Sequence, residues 1–143
     1  MGKMTLATAQ TIISAALEKA DSLSLKPLTV VVLDAGGHMV AMARQDGSSI
    51  LRPQIASGKA YGALAVGTGS RWLHEAAEKR PHFVQSLNGA SGGAIVPVPG
   101  GVLVKDQDGE VIGAVGITGD TSDNDEACAV AGVMAAGLLS DCG

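Results

Sequence analysis

Apolar residues recur at Leu6, Ile12, Ile13, Ala16, Leu17 and Ala20, the spacing of one helical face. Thr5 stands where a cap belongs, so the pattern predicts a helix to about Ser24. Thr29 to Leu33 is a β-branched run that reads as a buried strand. Asp34-Ala35-Gly36-Gly37 supplies turn chemistry, and His38 to Arg44 returns as a second strand. Pro53 suits the first turn of a helix to about Val66. Thr68-Gly69-Ser70 breaks it, with Ser70 as the cap of a third helix ending before Pro81. His82 to Gly93 is expected as a loop. Strands are predicted at Ala94–Val98, Val102–Lys105 and Glu110–Ile117, the last two joined by Asp108-Gly109. Ser122-x-x-Asp125 predicts a capping box for a last helix to about Leu139.

The predicted order is α-β-β-α-α-β-β-β-α. Hairpin-joined strands make an antiparallel sheet, and helices must cover it. The expected class is therefore α+β, a five-stranded antiparallel sheet in one domain spanning 1–143. The last helix is apolar nearly all round, which predicts burial on two sides, one of them against another subunit.

Composition narrows the function classes. The chain has 143 residues, of which 46% are hydrophobic and 17% charged, enough for a packed core. Net charge is −4 without a cationic run, which argues against nucleic acid as a partner. The longest apolar run, Ala127 to Leu139, is too short and Gly-broken for a membrane span. Two cysteines and no secretory leader lead to the expectation of a cytoplasmic protein. Twenty glycines and only three aromatics, Tyr61, Trp72 and Phe83, predict closely approaching backbones.

Several side chains are candidates for chemistry. Lys59 is the one cation in a small-residue apolar helix, with Gly58 and Gly62 a turn apart; facing inward, it requires an anionic partner. His38 follows the double-Gly turn and is a candidate ligand or acid–base group. Arg44 and Arg52 flank a loop and are candidates to bind an acid. The glycine-rich strand end from Gly116 to Thr118 runs into a helix start, a place where backbone N–H groups can cradle an anion. The predicted site is the convergence of Lys59, Gly116, Thr118 and the loop around Asn88, with His38 and Arg44 as further candidates. The three histidines lack metal-ligand spacing, so no structural metal is expected.

A resemblance spans nearly the whole chain. Asp34-Ala35-Gly36-Gly37-His38, Arg44-Gln45-Asp46-Gly47, Lys59-Ala60-Tyr61, Pro99-Gly100-Gly101-Val102, Gly109 to Thr118 and Asp123-Asn124-Asp125-Glu126 stand in order. Together they resemble the haem-binding family named after GlcG and HbpS, related also to a domain fused to corrinoid adenosyltransferases. The resemblance implies a profilin-like or PAS-like fold, a symmetric homo-oligomer of up to eight subunits, and haem or a related tetrapyrrole as ligand. Relatives in catabolic operons keep two alternatives open: a small-molecule catabolic enzyme or accessory subunit binding a carboxylate near Lys59, and a structural oligomeric protein without catalysis.

Overall fold

The computed structural model describes residues 2–143. The chain runs α1 (Leu6–Ser22), β1 (Thr29–Asp34), β2 (Met39–Arg44), α2 (Arg52–Val66), α3 (Ser70–Lys79), α4 (Pro81–Ala90), β3 (Gly101–Lys105), β4 (Val111–Thr118), α5 (Ser122–Ala135) and β5 (Leu139–Asp141). The strands form one five-stranded sheet ordered β2-β1-β4-β3-β5. Every neighbouring pair is antiparallel. The α+β class and the five-stranded antiparallel sheet expected from the sequence are therefore present.

Three elements differ from the expected order. Residues 82–93 are mostly helix: α4 starts on Pro81, whose fixed φ suits a first turn, and carries Phe83, Val84 and Leu87 on one side. Residues 94–98 form no strand. Pro97 interrupts the segment, and Val96 donates its N–H to the Gly58 carbonyl instead of to a sheet partner. The fifth strand is β5, which pairs with β3 through Leu103↔Asp141 to Lys105↔Leu139.

The caps also differ in part. Thr5 caps α1 as expected, its hydroxyl accepting from Thr8 N. The α5 cap is Thr121, one residue before the expected Ser122, with Thr121 Oγ1 accepting from Asn124 N. Ser70 begins α3, but its hydroxyl donates to the Val98 carbonyl and accepts from Gly101 N, fastening the 94–98 segment to the sheet.

The sheet is covered on both faces, which explains the burial of β1 from Thr29 to Leu33. Val30, Val32, Val102, Val104, Val115 and Ile117 face α1 and α5. Val31, Leu33, Leu103 and Ala114 face Ala56, Ala60 and Ala63 of α2. Helix α5 packs on the sheet beside α1, where the Gly132 Cα lies so close to Ile12 that an added Cβ would sit 2.5 Å from the Ile12 carbonyl oxygen. Met134 stays 68% exposed, so α5 keeps one apolar side open.

Helix α2 lies unusually low on the sheet. A Cβ on Gly116 would sit 1.9 Å from the Ala56 carbonyl oxygen, and one on Gly101 2.1 Å from the Lys59 carbonyl oxygen. The two glycines are register partners, so together they bare a patch of β3–β4 on which the helix backbone rests. The helix's outer side is equally close-fitting: Gly58 meets Val96, and Gly62 meets Leu73 and Ile95.

Gly116→Ala is accordingly expected to destabilise the fold by about 3 kcal/mol or more, since backbone cannot yield as a side chain does. Gly89→Ala, in α4 with open space around it, is expected to be neutral or stabilising by up to about 1 kcal/mol. Urea titration of the two variants, read at equal m-value, checks the contrast.

Candidate functional site

Lys59 points inward and is 2% exposed. Its stem passes Gly100, where an added Cβ would sit 2.9 Å from Nζ. The ammonium donates to the Ile117 carbonyl at 2.9 Å and to Asp125 Oδ2 at 3.2 Å. Lys59 lies on one face of the sheet and Asp125 on the helix covering the other. The side chain thus ties the two layers together around the ends of β3 and β4. Burial pulls the Lys59 pKa down, opposed by the attraction of Asp125. Burial pushes the Asp125 pKa up, opposed chiefly by Lys59 and by the N–H of Asp120.

The expected convergence is thus met in part. Lys59 reaches the Gly116–Thr118 strand end, and the anion its burial requires is Asp125 of the same chain. Gly116 lies within the ladder between Val31 and Gly101, and its missing side chain admits α2. Thr118 is buried and accepts a hydrogen bond from Arg52 Nη1 at 2.7 Å. The turn beyond it satisfies itself: Asp125 Oδ1 accepts from Asp120 N, and Asp120 Oδ1 accepts from Thr121 N and Asn124 Nδ2. Asn124, with Lys26 N and Thr121 N, draws the Asp120 carboxyl down to about 2. The helix start is therefore committed to its own side chains, a cap more than an anion cradle.

The other candidates stand apart. Asn88 is exposed on α4, and its Oδ1 accepts from Ile95 N at 3.4 Å. Arg44 ends the edge strand β2, beside Asp46 and Asp21. His38 is 81% exposed, with Nδ1 3.2 Å from Asp34 Oδ1. That carboxylate also accepts from the His38 and Gly36 backbone, and the His38 N–H is the main cause of its lowered pKa. Cys128 is buried within α5, its thiol pushed up to about 11 by desolvation.

A concavity lies elsewhere. A groove of about 670 Å³ runs along the outer side of α2. Pro53, Ser57, Gly58 and Tyr61 form its floor, Leu33, Gly37 and Met39 of the β1–β2 hairpin one wall, and the 93–96 segment the other. Gly58 lets Val96 close against the helix, and Gly37, at φ +83°, lies against the Tyr61 ring. The lining is predominantly aliphatic and aromatic, with Gln54, Ser57 and Tyr61 as its polar side chains. No single stretch of sequence signals this groove. Its walls come from three segments, and what marks it in the sequence is the repeated placement of small residues on α2.

Separating the two halves of the ion pair gives a test of its role. Asp125→Asn or Lys59→Met alone is expected to cost about 3–5 kcal/mol, because each strands a buried charge. The Lys59→Met/Asp125→Leu double variant is expected to recover most of that loss. Chemical denaturation of the four proteins in a double-mutant cycle measures the coupling.

Known proteins share both the sequence pattern and the fold. Residues 4–134 match the family model described as haem degrading protein HbpS-like. A Citrobacter freundii protein, described as an uncharacterized 15.0 kDa protein in the dhaT-dhaS intergenic region, is 31% identical over 122 residues, covering 85% of this chain and 84% of that one. The PduOC:heme complex superposes with a TM-score of 0.86 at 24% identity, covering 96% of this chain and 98% of that chain. Klebsiella pneumoniae ORFY gives 0.85 at 26% identity, covering 97% and 94%. HbpS gives 0.79 at 24% identity, covering 94% and 90%. From residue 4 to residue 134, then, the chain belongs to the HbpS-like family.

Proposed function

We propose that this protein binds haem or a related tetrapyrrole in the groove beside α2. The observation that carries the reading is the groove itself. At about 670 Å³ it falls within the roughly 300–1,000 Å³ usual for ligand sites, and it is lined mainly by apolar groups with few polar ones. A flat, largely hydrocarbon ring suits such a lining. Its charged propionates would meet no cation among the lining residues and would lie at the open mouth, in water. The family to which the chain belongs and the relative crystallised with haem support the same ligand.

The residues on hand fit the group. Pro53, Ser57 and Gly58 offer a smooth helical floor, and the Gly37 turn keeps the hairpin wall clear of side-chain bulk. Met39 and Tyr61 carry the lining atoms that haem iron accepts as axial ligands. When bound, haem supplies a redox-active iron; the chain's part is to desolvate one face of the ring and fix its orientation. A carboxylate site at Lys59 has less support, because Asp125 already matches that charge.

Self-association belongs to the same reading. Ile50, Leu51 and Met39 are 87%, 59% and 52% exposed, and the latter two line the groove. Apolar surface of this kind marks contact with another subunit, and a homo-oligomer would cover it.

Titration with hemin, followed by the Soret band, tests the ligand. Saturable one-to-one binding per chain is expected. Ser57→Trp, which fills the floor without entering the sheet interface, is expected to weaken it at least tenfold, about 1.4 kcal/mol. Unchanged affinity in that variant would move the ligand out of this groove.

A further inference from the structure

We propose that Tyr61 is the axial ligand to ferric haem in this protein, an inference that rests on the haem reading of the groove. Tyr61 is the one tyrosine of the chain and sits on the groove floor. Its ring packs beneath the double-Gly turn, 3.5 Å from where a Cβ of Gly37 would be. Among the described residues its hydroxyl makes no hydrogen bond to protein, so the phenolic oxygen is not committed elsewhere.

The histidines and cysteines stand away from the groove. His38 adjoins it in sequence, but its imidazole lies against Gly36 and Asp34, outside the lining. His74 pairs with Glu78 on α3, and His82 is exposed at the start of α4. Cys128 is enclosed on the opposite face of the sheet, and Cys142 lies beside the α3 start. That leaves Met39 and Tyr61. Met39 sits on the edge strand and is half exposed, whereas Tyr61 is on a helix clamped from both sides. Ferric iron is a hard acid and favours an anionic oxygen over a thioether.

Coordination is a simple exchange. The phenolic oxygen bonds to iron(III), the phenolic proton leaves, and the hydroxide carried by free hemin departs with that proton as water. No oxidant or reductant is required.

Resonance Raman and electronic spectra of the hemin-loaded protein test the assignment. The expected signature is an iron–phenolate vibration with a phenolate-to-iron charge-transfer band. Tyr61→Phe should abolish both and weaken hemin binding at least tenfold, while circular dichroism and the thermal midpoint stay close to those of the parent. Tyr61→His should restore binding with an imidazole-type spectrum, and Met39→Leu should keep the phenolate signature. A loaded parent protein without that vibration, or a Tyr61→Phe spectrum equal to the parent's, overturns the ligand while leaving the haem reading intact. A parent protein that binds no hemin overturns both.

Discussion

The organisation of this protein depends on how closely α2 lies on the sheet. Two facing glycines, Gly101 and Gly116, remove the side-chain layer that normally separates helix from strand. Ala56, Ala60 and Ala63 then fill what space remains. Everything functional follows from that height. A helix lowered onto β3–β4 lets Lys59 pass Gly100 and reach a carboxylate on the far layer. The same lowering leaves room above α2, and that room is the groove.

The interior ion pair joins residues 66 apart in sequence. Burying it gains little net stability by itself, because both charges lose their water. Its effect is on geometry: only one depth and one register of α2 satisfy Lys59, the Ile117 carbonyl and Asp125 at once. The groove floor inherits that precision, since Ser57 and Gly58 directly precede the lysine and Tyr61 follows it by two residues.

Much of the fold is legible in the sequence because its signals are local. Asp-Gly and Gly-Gly turns mark both hairpins, and Thr5 and Pro53 mark helix starts. The parts that depart from their local pattern are those where tertiary contacts outweigh local preference. Residues 94–98 have a β-branched composition, yet they pack on the glycines of α2. β5 is three residues long and too short to carry a period. Gly89 within α4, and Gly92 and Gly93 just beyond it, mask a helix whose apolar face is narrow. Of the candidate site, an inward Lys59 beside Gly116–Thr118 can be read from composition. Its partner Asp125 cannot, because the pairing depends on a crossing between layers that no local pattern encodes. The groove is hidden for the same reason.

The scarcity of aromatic residues also gives the molecule separable optical reporters. Its one tyrosine sits in the groove, and its one tryptophan, Trp72, stands partly exposed on α3, outside the groove lining. Changes in phenol absorbance therefore originate at the groove. Indole emission, in contrast, follows the anchoring of α3 to the rest of the chain. Local events beside α2 and loosening of the whole structure can thus be followed at different wavelengths in one unlabelled sample.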